Sequence, residues 1–291
     1  MSLFRIGANI QAMDSLKSLY GLNEDIAQRQ ARLASGKRIN TARDDTAGYA
    51  IAKSLSGRSN GLHAALSNVA NAQSLLAIAE GGYQNQMDIL QTIKDKAVQA
   101  SDRAVSDTQR VSIDKQVYQL LQELDDIAAQ TKWSGTTLIN ATTNTAATGR
   151  DFSFHVGGDT SEELLVTLNQ SNSSTYSLNL VAQVDGLGTI GAGTDVDGAD
   201  TAIDVVTDAI DLLASYIQGI GDTMVRLGKK NSFLAVSHAN TEAVRSQYED
   251  ADFAVEQMEL LKLQILQQTS VSALAQANSG PAVVLKLFGS Y

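Results

Sequence analysis

Apolar positions recur along this chain at helical spacings. Between residues 3 and 34 they fall at Ile6, Ile10 and Met13, then at Leu19, Leu22, Ile26 and Leu33, with polar residues between, which predicts one long amphipathic helix. Ser35-Gly36 ends it, because glycine accepts the left-handed conformation of a C-cap and Lys37 and Arg38 follow near the negative end of the dipole. After a short joint, Asp44-Asp45-Thr46 offers side-chain oxygens and negative charge to a second helix. From Leu55 to Ala100 the pattern becomes a heptad. Leu62, Val69, Leu76, Tyr83, Leu90 and Ala97 hold one position, and Ala65, Ala72, Ala79, Ile93 and Ala100 the other, interrupted only by Gln86. Such persistence predicts coiled-coil packing, with Gly81-Gly82 as a point of weakness and local bending.

Ser106 and Gln109 fit a capping box for a third helix through Ile113, Val117, Leu120, Leu124 and Ile127, ended by Trp133-Ser134-Gly135. Residues 136–200 are then rich in Thr, Asn, Gly and Ser. Phe152, Phe154 and Val156 alternate with polar residues, as do Leu164, Val166 and Leu168, so a hairpin is expected to turn at Gly157-Gly158-Asp159, with a weaker strand at Tyr176, Leu178 and Leu180. The heptad resumes with Ile203, Ile210, Ile217 and Met224 alternating with Val206, Leu213, Ile220, Leu227 and Leu234. Asn231 and His238 continue the first position, where polar groups can set register. A last amphipathic helix carries Met258, Leu261, Ile265, Val271 and Leu274. The fold class expected is mainly α: long coiled-coil-like helices from both termini around a small central β-hairpin region.

Composition supports long helices, since one proline, Pro281, stands in 291 residues and aromatics are 5 %. The net charge is 22 − 32 = −10, which argues against nucleic acid as a partner. Residues 1–60 hold nine Lys/Arg against five Asp/Glu, so a basic start can attract the acidic remainder. The 23-residue uncharged run Leu263 to Leu285 could span a bilayer by length, but nine of its residues are Gln, Ser, Thr or Asn, which favours a protein-packed helix over membrane insertion. The start shows no apolar signal-peptide core, so export is expected to use a route without a cleavable signal.

No catalytic, cofactor or metal site is expected. Cysteine is absent, and His63, His155 and His238 are scattered without an HExxH pattern. Gly186, Gly188 and Gly191 match GxGxxG but no helix opens directly after them; Asp195, Asp197 and Asp200 lack the spacing of a calcium loop. Asn140, Asn169 and Asn172 begin N-x-[ST] triplets of the kind a Ser/Thr/Asn-rich segment produces by chance.

The string LASGKRINTARDDTAGYAIA, Leu33 to Ala52, closely resembles the signature of bacterial flagellin. AVRSQYEDADFAVEQM, Ala243 to Met258, and ILQQTSVSALAQANSGPAVVLKLF, Ile265 to Phe288, resemble that family's C-terminal segments in the same order. The resemblance implies an extracellular filament subunit of the bacterial flagellum, a homopolymer, exported unfolded through the flagellar type III channel with an export chaperone, a cap and hook-associated proteins as partners. It implies residues 1–34 as one half of a filament-core domain, 35–48 as a spoke joint, and 245–291 as a C-terminal spoke with the other half of the core domain. Residues 49–135, 136–200 and 201–244 would form the rod domain. Ile6, Ile10, Met13, Leu19, Leu22 and Ile26 would then pair with Met258, Leu261, Ile265, Val271 and Leu274. The spoke residues are Ser35, Gly36, Arg38, Asn40, Asp44, Asp45 and Gly48. The uncharged, glutamine-rich contact surface of the two chain ends suggests that packing and amide hydrogen bonds join them more than salt bridges do. Where the family presents an Arg, a Leu and a Glu to an innate Toll-like receptor, this chain has Thr92, Lys96 and Gln116, implying weak or absent signalling. A hook-filament junction protein and a membrane-active secreted helical protein are the alternatives. The first shares the terminal helices but not usually this full C-terminal string, and the glutamine-rich end argues against the second.

Overall fold

A computed structural model describes residues 9–140, 150–158, 161–173, 175–176 and 196–288. Ile6, Leu178, Leu180, the glycines at 186, 188 and 191, Asp195 and the last three residues lie outside them, as do Asp159 and the side chains of Asp197, Asp200 and Lys286. Five helices dominate the described residues: α1 Ile10–Ser35, α2 Thr46–Ser101, α3 Asp107–Gln130, α4 Val196–Glu249 and α5 Phe253–Phe288. Four short strands form two antiparallel pairs, β1 Lys132–Trp133 with β2 Thr136–Thr137, and β3 Arg150–His155 with β4 Glu163–Leu168. The fold is therefore mainly α with a small hairpin region. The chain divides into two compact units, residues 1–59 with 239–291, and residues 60–238. Both divisions fall within α2 and α4 and not at the joint.

In the second unit the heptad positions of α2 form the core. Val69, Ala72, Leu76, Ala79, Tyr83, Leu90, Ile93 and Ala97 are fully buried, beside Val117, Leu124 and Ala128 of α3 and Val206, Leu213 and Leu227 of α4. Alanine at alternate layers lets helix backbones approach while leucine and isoleucine fill the next layer. Gln86 is not a defect in the seam. It is fully buried, its amide donating to the carbonyl oxygens of Leu124 and Ser171, each at 3.1 Å, and accepting from the Ser171 hydroxyl. An apolar residue there would take this partner from the Ser171 carbonyl and hydroxyl, so the amide ties α2 to α3 and to the segment after β4.

Four local expectations are corrected. The third helix buries Leu121 and Ala128 where Leu120 and Ile127 were expected; the latter two stand on the flank. It ends at Gln130, and Ser134 at φ 49° and Gly135 at φ 80° form a two-residue turn between β1 and β2. Asn231 is exposed, so it sets no register; His238 is half-buried. Tyr176 is buried, but in a turn and not a strand.

Gly81-Gly82 does not interrupt α2, which is continuous from Thr46 to Ser101. A Cβ at Gly81 would enter open space, whereas one at Gly82 would stand 2.7 Å from Thr131 Oγ1 and 3.0 Å from Ile139 Cδ1. Gly82 thus marks a close approach between α2 and the segment following α3. Gly81→Ala is expected to raise stability by up to about 1 kcal/mol through helix propensity. Gly82→Ala should lower the unfolding temperature, because overpacking costs about 1–3 kcal/mol against the same gain. Parallel thermal unfolding of the two variants checks this, and equal shifts of one sign would contradict it.

Candidate functional site

In the first unit, α1 and α5 lie side by side. The α1 row that loses solvent contact is Ala12, Ser15, Leu19, Leu22, Ile26, Arg29 and Leu33; the α5 row is Glu256, Leu260, Leu263, Gln267, Ser270, Leu274 and Ala277. Both rows advance by alternating steps of three and four, the spacing of a coiled-coil seam. Small residues at Ala12, Ser15, Ser270 and Ala277 admit close approach, and long side chains make polar contacts around them. Arg29 Nη1 donates to Glu256 Oε2 at 2.8 Å and Arg32 Nη1 to Glu256 Oε1 at 3.4 Å. Further along, Gln267 Nε2 donates to Asn23 Oδ1 at 2.6 Å and Asn9 Nδ2 to the Ala277 carbonyl at 2.8 Å.

Leu19, Leu22, Ile26 and Leu274 therefore face the helix pair. The other described residues expected there do not: Met13 is 65 % exposed, Met258 63 % and Ile265 65 %, and Ile10, Leu261 and Val271 are exposed as well. These side chains, with Leu16 and Tyr20 on α1 and Phe253 and Val255 on α5, point away from the seam. Each terminal helix thus has two apolar rows, and the row with small and complementary polar residues is the one that closes. Ion pairs share the seam with the expected amide bonds, since Glu256 meets both Arg29 and Arg32 at the end nearest the joint.

The joint carries most of the specific polar geometry. Ser35 ends α1, and its hydroxyl donates to the Arg32 carbonyl and accepts from Lys37 N. Gly36, at φ 71°, forms the left-handed C-cap, its N–H reaching the Arg32 carbonyl at 2.8 Å. A side chain would be strained at that angle. Arg38 N and Ile39 N donate to the Glu249 carbonyl, Ala251 N donates to the Gly36 carbonyl, and Arg38 Nη2 reaches the Tyr248 carbonyl. Backbone pairing therefore ties the joint to the turn between α4 and α5. Lys37 Nζ binds the Glu249 carboxylate, which Arg245 also contacts at 3.0 Å; the Lys37 hydrogen bond foremost lowers the Glu249 pKa.

Asp44 organises the other half of the joint. Its Oδ2 accepts from Asn40 N at 3.0 Å, Thr41 N at 2.9 Å and the Thr41 hydroxyl, while Oδ1 accepts from Gln28 Nε2 at 2.9 Å. These donors, Thr41 N first, hold its pKa down from 3.8 to about 2. Asn40 Nδ2 reaches back to the Ala31 carbonyl at 3.3 Å. Asp45 caps α2 by accepting from Gly48 N at 2.9 Å. A Cβ at Gly48 would strike the Asp45 carboxylate and stand 2.7 Å from Cδ1 of buried Ile39, so only glycine fits beneath this cap.

Thr92 is exposed on α2, its hydroxyl donating to the Asp88 carbonyl at 2.9 Å; Lys96 is half-buried and Gln116 is exposed on α3. Among the described residues, no three His, Asp or Glu side chains converge as a metal site, and no helix is long and apolar enough to cross a membrane. The inner seam rows and the joint's dependence on Glu249 are what sequence reasoning missed. The signal for the first was the unbroken three-four spacing from Glu256 to Ala277; nothing local pointed to the second.

The family model described as the bacterial flagellin N-terminal helical region matches residues 6–144, and the bacterial flagellin C-terminal helical region matches 203–288. Flagellin of Listeria innocua is 31 % identical over 297 residues, covering 98 % of this chain and all of that protein. Flagellin of Bacillus subtilis is 32 % identical over 301 residues, covering 97 % of this chain and 99 % of that protein. A structure described as a flagellar hook-associated protein of Vibrio parahaemolyticus shares the fold at TM-score 0.57 and 12 % identity, over 71 % of this chain and 100 % of that one.

A folded-state pKa below the ordinary value means that Asp44 stabilises the joint above pH 3.8 and loses this contribution as pH falls toward about 2. Hydrogen exchange at the Asn40 and Thr41 amides, corrected for intrinsic rates, should accelerate across that window. In Asp44→Asn the exchange should be faster at neutral pH and lack the acid step; an unchanged step in the variant would exclude Asp44 as its origin.

Proposed function

The chain belongs to the bacterial flagellin family, and from that premise we propose how its surfaces serve the extracellular flagellar filament of which it is a structural subunit. The subunit polymerises with further copies of itself to build the filament used in swimming. In the reading we favour, residues 1–34 and 245–291 form the filament-core domain, Ser35 to Gly48 the spoke, and residues 49–244 the rod domain. The inner seam of α1 and α5 holds one subunit together. The outer row, Ile10, Met13, Leu16 and Tyr20 with Met258, Leu261, Ile265 and Val271, meets neighbouring subunits, and Ile6 is assigned to the same row by its sequence spacing.

One observation carries this reading: after α1 and α5 have closed on each other, a second row of large apolar side chains is still exposed on both. Burying such a side chain contributes roughly 1.5–3 kcal/mol, so several per helix can offset the cost of association. Before assembly the subunit passes through the flagellar type III export channel. A chaperone holds its C-terminal segment, a cap protein guides addition at the tip, and hook-associated proteins join the filament base. Family membership alone supports these partners. A junction protein is not favoured, because the likeness to the hook-associated structure is one of fold, whereas the full-length relatives are flagellins.

Ile265→Glu places a charge in the outer row without touching the seam. It should leave far-ultraviolet circular dichroism of the monomer unchanged and abolish seeded filament growth in electron micrographs; filaments at the parent's yield would overturn the assignment. For Thr92, Lys96 and Gln116, purified monomer should give little or no response in cells reporting the innate flagellin receptor. Replacing the three by Arg, Leu and Glu together should raise that response, and strong signalling by the unaltered chain would contradict the reading.

A further inference from the structure

We propose that His63 and His238 form a two-histidine site for a divalent late transition-metal ion, linking α2 to α4 within the unit of residues 60–238. The two residues are far apart in sequence, and His238 alone stands on a heptad position. The structure brings their rings together, with centroids 6.0 Å apart and planes inclined at 53°.

The distance suits bridging. Metal–imidazole bonds are about 2.0–2.1 Å, which puts an ion about 3.2 Å from each ring centroid. Centroids 6.0 Å apart are therefore within reach of one shared ion, at an open angle. Closing to a tetrahedral angle takes less than about 1 Å of approach, within the range of side-chain rotation. The rings are tilted and do not stack. The third histidine, His155, is engaged elsewhere, at 3.2 Å from Glu163 on the hairpin. His63 is exposed and His238 half-buried, which leaves an entry path and room for water to complete the coordination.

The donor set decides the class of ion. Two neutral imidazoles suit Zn2+, Ni2+ or Cu2+; Mg2+ and Ca2+ require oxygen ligands. No third His, Asp or Glu converges there among the described residues, so the site is an exchangeable one completed by water and not a closed structural centre. Both ligands are in place only when α2 and α4 are packed in native register, so an ion bound here stabilises that packing.

Calorimetric titration of the full untagged monomer with NiCl2 and with ZnCl2, and with MgCl2 as a control, tests the proposal. One saturable site for Ni2+ or Zn2+, none for Mg2+, and a rise in unfolding temperature with the bound ion are expected. His63→Asn and His238→Asn should each weaken binding roughly tenfold or more, while His155→Asn binds as the parent does. The electron paramagnetic resonance spectrum of the Cu2+-loaded parent should show two nitrogen ligands, a readout independent of how the variants fold. Absence of saturable binding, equal binding of Mg2+, binding undiminished in His63→Asn or His238→Asn, or a copper spectrum without two nitrogens would overturn it.

Discussion

Two helices from opposite ends of the chain must meet in one register, and the first unit depends on that constraint. A seam with a repeat of seven can slide by a heptad and still bring apolar residues together. Here the sliding freedom is removed at the joint. The N–H groups of Arg38 and Ile39 on the Glu249 carbonyl, with Ala251 N on Gly36, fix the turn before α5 against the end of α1. Glu256 then meets Arg29 and Arg32, and twenty-one residues further on Ala277 meets Asn9. A slipped register would leave Glu256 buried without its cations, which costs more than the pairing itself contributes. The polar contacts at the seam thus select an alignment more than they add attraction.

The same division appears in the second unit. Layers of Ala, Leu, Ile and Val supply the burial, and a few polar side chains decide which segments face each other. Gln86 is one of them. Another is Tyr83, whose hydroxyl donates to the Asn169 carbonyl and whose burial pushes its pKa up. Asp125 accepts from both the backbone and the hydroxyl of Ser173. These contacts hold the short segment after β4 against the helices, where two-stranded sheets alone would be marginal.

What could be read in advance follows from how many alternatives each pattern left open. The α2 heptad from Leu62 to Ala100 has one apolar row, so its buried face was legible, as were the Gly36 stop and the Asp45 cap. The faces of α1 and α5 were not, because each has two apolar rows and periodicity weights Met258 and Ile265 as heavily as Leu260 and Leu263. In α3, Leu120 and Leu121 are adjacent, and the choice between them depends on where the partner helix lies. Gly82 read as weakness because its neighbours, Thr131 and Ile139, are close only in space. The pairing of His63 with His238 was hidden for the same reason.

A two-rowed terminal helix also bears on the order of events in the proposed assembly. The inner row closes within one chain, where the effective concentration of the partner helix is set by the tether and not by the number of subunits present. It carries the charged and amide contacts that distinguish the right partner from a wrong one. The outer row is mostly large, apolar and geometrically permissive, which suits contacts that form only after the inner row has fixed which side chains face outward. Were the polar residues on the outer row instead, an unpaired terminus could close on a neighbour's helix as readily as on its own. Placing selectivity inside and attraction outside makes a correctly paired subunit the species best able to add to a filament.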